Sequence, residues 1–141
     1  DIQRSRGLGD VYKRQAKNFV CPSLLIAKTV NLLGGNSWVY QFNRVRDDPK
    51  ALKYGAFHGA ELPYVFDTHD EWLPTNDIDR KITEEVQSYW VQFSKTGNPN
   101  FEQKMWDPYS AQTNSTFIIN KKSYSATHPS YEICKIMEPS W

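Results

Sequence analysis

The chain has 141 residues, enough for one domain rather than two. Leu, Ile, Val and Phe supply 31 of them, or 22%, barely above the roughly 20% below which chains tend to stay disordered; the aromatics, 14% of the chain, carry large burial areas and mark folded material with a thin core. Seventeen Lys and Arg oppose sixteen Asp and Glu with no long run of either sign, so there is no basic stripe for nucleic acid, and no apolar stretch approaches the roughly 20 residues that span a bilayer.

Residues 1–15 stand apart. They hold four basic and two acidic residues, show neither helical nor alternating periodicity, and are interrupted by Gly7 and Gly9. Pattern alone reads as a flexible basic arm. The ending Gly9-Asp10-Val11-Tyr12-Lys13-Arg14-Gln15 also resembles a string that recurs where sequencing-adapter DNA is translated at the edge of an environmental contig. Residues 1–15 are therefore expected to be a non-native artefact or a disordered arm, and the domain is expected to cover 16–141.

Apolar residues at Leu24, Leu25, Ala27, Val30, Leu32 and Leu33 predict a helix from Cys21 to Leu33, with Pro22 in its first turn, Ser23 as a start signal and Gly34-Gly35 as its stop. Ser37 to Val45 is rich in Val and aromatics and reads as a strand, expected to be buried because Trp38, Val39, Tyr40 and Phe42 do not alternate cleanly. Ala51 to Val65 then reads as irregular, Gly55, Gly59 and Pro63 predicting a loop around His58, followed by a short apolar segment, Leu62 to Phe66. The clearest helix is Ile78 to Lys95: Ile78, Ile82, Val86, Tyr89, Trp90 and Phe93 share one face, Asn76 or Asp77 caps the start, and Gly97 sits just past the end. Residues 101–116 read as a loop, Thr116 to Lys121 as a strand, and the tail to Trp141 carries no assignable pattern. The whole is mixed α and β.

Three histidines are candidates for chemistry. His58 lies between Gly55 and Gly59, which let another backbone approach closely, and Glu61 is near enough in sequence to orient its imidazole. His69, in Asp67-Thr68-His69-Asp70-Glu71, has no spaced second histidine for a metal and reads as part of a solvated acidic loop; His128 reads as exposed. No metal or cofactor is expected. Cys21 and Cys134 are too far apart for a C-x-x-C pattern, leaving two free buried thiols or a disulfide. Asn114-Ser115-Thr116 fits the glycosylation sequon, a match that is common by chance.

Three segments together resemble the C-terminal part of the type B carboxylesterase and cholinesterase family of α/β hydrolases. Phe19-Val20-Cys21-Pro22 is similar to that family's segment at the start of a helix that precedes a sheet strand, here Trp38 to Arg44. Phe57-His58-Gly59-Ala60-Glu61-Leu62-Pro63-Tyr64-Val65-Phe66 resembles the stretch that holds the triad histidine. Tyr89-Trp90 through Phe93-Ser94-Lys95-Thr96-Gly97-Asn98-Pro99-Asn100, with Trp106-Asp107-Pro108-Tyr109 following, resembles a late helix and the turn after it.

The resemblance implies an incomplete α/β-hydrolase fold, the last sheet strands with their packing helices. It implies that His58 is the general base of a Ser-Glu/Asp-His triad, that Glu61 is a carboxylate behind the catalytic groups, and that Phe57 borders the pocket. It also implies a Cys21–Cys134 disulfide, a small carboxylic ester as substrate, and a secreted or periplasmic parent protein.

No Gly-x-Ser-x-Gly elbow and no Gly-rich oxyanion segment occurs in the chain; in this fold the serine and the acid both precede the histidine. The chain is therefore expected to need the N-terminal part of the same domain as its partner, and to be inactive alone. The rival reading is a non-catalytic adhesion or binding relative that has lost triad residues. A free-standing α+β binding module is disfavoured by the thin core.

Overall fold

The computed structural model describes residues 13–69, 71, 74–102 and 105–137. The expectation for residues 1–15 falls mostly outside that range, although 13–15 are helical and lead into a single π-helical turn, Ala16–Val20. Helix α1 (Cys21–Leu32) continues directly from this turn, with Pro22 in its first positions as expected. Ser23 does not act as a start signal: its hydroxyl donates backward to the Phe19 carbonyl, because the backbone is already helical there and no cap is needed. The end follows the glycine rule. Gly34, at φ 82°, donates to the Asn31 carbonyl and Gly35 to that of Val30, which closes the last turn as a Schellman motif.

Two compact units make up the chain, one drawn from Asp1–Val39, Pro108–Thr116 and Ala126–Trp141, the other from Tyr40–Asp107 and Phe117–Ser125.

The first unit is organised by a disulfide. Cys21 at the head of α1 is bonded to Cys134 in helix α5 (Tyr131–Met137), with Cα atoms 5.4 Å apart across 113 positions of sequence. Ala16, Leu24, Ala27 and Tyr109 form one buried cluster with the two cysteines, with Val20, Val39, Ile133 and Met137 packed against it. One sequence expectation fails in this unit, that for His128, and the asparagine of the chance sequon is not at the surface. Asn114 of the sequon is buried and accepts a hydrogen bond from the Tyr109 hydroxyl at 2.9 Å, so its amide is committed to the core. His128 is buried rather than exposed, 4% accessible, with Nδ1 accepting from the Ser130 amide at 3.0 Å; the Pro129 turn folds the ring inward to satisfy that donor.

The second unit holds the sheet ladder that positions the candidate site. Strand β1 (Tyr40–Phe42) pairs in parallel with β2 (Ser115–Ile119), matching Tyr40 to Phe117, Gln41 to Ile118 and Phe42 to Ile119; β3 (Tyr124–Thr127) lies on the other side of β2. Every residue of β2 is buried, as a central strand requires. The predicted strand from Ser37 to Val45 forms over three residues only, and these are half-buried because β1 is the edge of the described sheet.

Between β1 and β2 run helices α2 (Pro49–Tyr54), α3 (Leu62–Phe66) and α4 (Asp77–Thr96). Helix α4 matches its prediction at both ends. Asn76 and Asp79 form a capping box, and Gly97, at φ 71°, closes the last turn. Helix α2 lies in a stretch expected to be irregular; Asp48 accepting from the Lys50 and Ala51 amides, with Pro49 behind it, is a start signal that short length obscured. Trp106 stacks on Phe117 at 5.1 Å, and Tyr89 meets both rings edge-on, so aromatic packing supplies what aliphatic residues lack.

Alkylation without reductant should leave Cys21 and Cys134 unmodified in material from an oxidising compartment. In the chain-entropy model, closing so long a loop stabilises by about 4–5 kcal/mol, so Cys134→Ser should lower the unfolding midpoint sharply while sparing the overall helix content at low temperature. Full labelling of both thiols before reduction would refute the bond.

Candidate active site

His58 sits on a tight turn closed by backbone hydrogen bonds. The Ala60 amide donates to Phe57, that of Leu62 to Gly59, and those of Tyr64 and Val65 to Glu61, so the turn passes without a break into α3. Gly59, at φ 88°, is what lets the chain reverse directly after the histidine. The loop's entry is equally defined, since Gly55, at φ 66° and ψ −161°, ends α2 in a conformation that side chains other than glycine's rarely adopt. His58 itself is exposed. Its neighbours Phe57, 42% accessible, and Gly59 line a cleft of about 300 Å³ whose wall also includes Arg44, Arg46, Leu62 and Tyr64.

Glu61 shares the His58 turn and is half-buried. Tyr40, on β1, has its phenol pushed above the ordinary value first by burial and then by the negative charge of Glu61. Among the described residues no group of His, Cys, Asp and Glu could hold a metal ion, and no helix is long and apolar enough to cross a membrane.

Beneath the cleft lies a polar network that the sequence reading missed. Arg44 Nε donates to Asp79 Oδ1 at 2.7 Å, both side chains being 0% accessible, while its Nη2 reaches Asp47 at 2.9 Å and its Nη1 the Val45 carbonyl. The Tyr64 hydroxyl donates to the same Asp79 oxygen at 2.8 Å and accepts from Arg46 Nε at 3.1 Å. Burial alone would raise the Asp79 carboxyl, but hydrogen bonds from Arg44, the Asn76 amide and Tyr64 hold it below its ordinary value. A signal was present: two arginines alternate in Asn43-Arg44-Val45-Arg46 at the end of an otherwise apolar strand, and buried arginines require partners.

His69 belongs to this network and not to a solvated loop. Its side chain is 3% accessible, with Nδ1 3.0 Å from Arg46 Nη2 and Nε2 2.7 Å from Thr83 Oγ1. A guanidinium can only donate, so Nδ1 is the bare acceptor and Nε2 carries the proton toward Thr83, whose hydroxyl in turn donates to the Asp79 carbonyl. The ring is therefore held neutral. Burial depresses its pKa first, then the charges of Arg46 and Arg80; Asp67 and Asp79 oppose them.

Comparisons with known proteins show the fold and the family. The solved structure of a thermophilic PNB esterase superposes with a TM-score of 0.63 at 29% identity, covering 72% of this chain and 22% of the other; a second PNB esterase gives 0.61 at 31%. The structure is accordingly a partial domain of the α/β-hydrolase fold. The carboxylesterase family model matches residues 5–136, and the chain belongs to that family. Para-nitrobenzyl esterase of Bacillus subtilis is 33% identical over 109 residues, and bile salt-activated lipase of Bos taurus 31% over 93. These alignments take in 73% and 62% of this chain but only 22% and 16% of the relatives, so the chain spans about a fifth of their length.

Both buried histidines carry a pH consequence. Burial pulls the His128 pKa down from 6.5 to about 4, and His69 is lowered as well. A histidine whose folded pKa lies below its unfolded value binds its proton preferentially in the unfolded chain, so the stability it contributes is present above pH 6.5 and is lost as pH falls. Between pH 6.5 and 4, His128 alone should remove about 1.4 kcal/mol per pH unit. Urea midpoints measured across that window should fall in wild type and flatten in a His69→Gln, His128→Asn double variant; equal slopes would contradict the assignment.

Proposed function

We propose that this chain is the C-terminal part of a serine carboxylic-ester hydrolase and supplies the histidine of its Ser-Glu/Asp-His triad. The observation that carries the reading is His58 itself: an exposed imidazole on a glycine-hinged turn beside a cleft, in a chain of the carboxylesterase family. In that role His58 takes the proton of the serine hydroxyl as it attacks the ester carbonyl. It returns the proton to the departing alcohol, leaving an acyl-enzyme, and repeats the cycle with water. Glu61 contributes negative charge behind the site, and Phe57 an apolar edge for the substrate.

The nucleophile, the acid and the oxyanion donors are supplied by an N-terminal part of the same domain that precedes residue 16. Several features support that incompleteness. Leu32, Leu33, Leu52, Phe66 and Ile136 are exposed, as surfaces meant to pack on further strands and helices would be. The Cys21–Cys134 bond suits an oxidising compartment, and we assign the parent protein to the periplasm or the exterior of the cell.

The test has two arms, both read with an activated aryl ester. Residues 16–141 alone should give no turnover, since His58 has no hydroxyl to activate. The same residues encoded in frame with their upstream sequence should hydrolyse the ester, and His58→Ala should reduce kcat by about 10²–10⁴ or more. Turnover by the isolated chain that disappears in His58→Ala would overturn the inactivity; an intact protein indifferent to His58→Ala, or one whose upstream part lacks the elbow serine, would make this a binding relative instead.

A further inference from the structure

Both ends of the segment that carries His58 return to the same buried ion pair. On the entry side, Asp47 binds Arg44 Nη2, and the next residue, Asp48, caps α2 with two backbone hydrogen bonds. On the exit side, the His58 turn is hydrogen-bonded into α3, a helix of five residues whose single buried side chain is Tyr64. That side chain ends on Asp79, the ion-pair partner of Arg44, and on Arg46. Arg46 also stands over the Tyr64 ring, 5.3 Å from its centroid, and Phe42 of β1 packs against the same ring at 4.8 Å.

So short a helix has no stability of its own. Its place depends on its packing against α4, where Gln87 Nε2 donates to the Val65 carbonyl, and on what its one buried side chain, Tyr64, holds; with it goes the place of the turn six residues earlier. We propose that Tyr64, with Arg46 and the Arg44–Asp79 pair behind it, is a positioning residue for His58: the brace fixes the turn without touching the reacting atoms. This rests on the reading of His58 as the triad base, and it adds residues that act through the turn rather than on the reacting atoms.

The hydroxyl is the working atom. A hydrogen bond to a buried carboxylate contributes more than one between neutral groups, so its removal should release the turn by about tenfold or more in its opening equilibrium. Tyr64→Phe keeps the ring and its contacts with Phe42 and His69 and deletes only the hydroxyl's two bonds, the one donated to Asp79 and the one accepted from Arg46. Tyr109→Phe, which removes a buried hydroxyl bonded to Asn114, is the matched control.

Hydrogen exchange on the 141-residue chain reads the outcome. In Tyr64→Phe the amides of Ala60 and Leu62 should exchange about tenfold faster or more, while those of Val86 and Tyr89 in α4 change by less than about twofold; Arg46→Lys should act in the same direction. Tyr109→Phe should leave the His58 turn unaltered. In the protein extended by its upstream sequence, Tyr64→Phe should lower kcat about tenfold with KM nearly constant. Exchange at Ala60 and Leu62 that is unchanged, or that rises only in step with α4, overturns the proposal. So does global unfolding of both Tyr64→Phe and Arg46→Lys, because the brace would then support the whole unit rather than the turn. If His58→Ala leaves turnover intact, the catalytic reading fails while the exchange result stands; if His58→Ala abolishes turnover and the turn ignores Tyr64→Phe, only the positioning role fails.

Discussion

The Arg44–Asp79 ion pair, with no solvent access to either side chain, is the point at which three elements of the second unit meet. Withdrawing two charges from water is expensive, and the pair is tolerable only because nearly every lone pair and donor around it is used. Asp79 takes Arg44, the Tyr64 hydroxyl and the Asn76 amide; Arg44 reaches Asp47 and the Val45 carbonyl as well. The carboxylate thus serves three elements at once. It completes the capping box of α4, anchors the segment leaving β1, and receives the one buried side chain of α3. Asp47 extends the same knot to Lys121, 2.7 Å away, just beyond β2. The segment bearing His58 is tied to this arrangement at both ends, through Asp47 before it and Tyr64 after it.

The first unit solves its problem covalently. Its aliphatic complement is small, and a disulfide ties α1 to α5 where burial alone would be thin. Tyr109, in the cluster with the bond, and His128 are drawn inward as polar groups with local partners, the first donating to Asn114 and the second accepting from Ser130. The low count of core formers and the exposed leucines have a common physical explanation in an incomplete domain, whose missing strands and helices would cover them.

How much of this was legible follows the range of the forces involved. Helix α4 was readable to within a residue because its signals are local: apolar spacing, an asparagine cap, a glycine stop. Strand β2 was legible for the same reason, as a run of Thr, Phe and Ile. The predicted strand around Tyr40 contracted to three residues because strand length depends on a neighbour, and β1 has one on a single side in the described sheet. His69 and His128 were misjudged because acidic or Ser- and Thr-rich surroundings suggested solvent, whereas Arg46 and the Ser130 amide, respectively, give each ring a buried partner. The network under the cleft joins residues 35 positions apart, and no periodicity encodes that distance; only the pairing demand of Arg44 and Arg46 hinted at it.

The most direct test of this account is a double-mutant cycle on the ion pair, read by urea unfolding of Arg44→Met, Asp79→Leu and the two combined. Each single change strands a buried charge and should destabilise by about 3–5 kcal/mol, while the combination should cost less than the sum by about 1–3 kcal/mol. Losses that simply add, or single variants as stable as wild type, would show that the pair is not what the second unit hangs on.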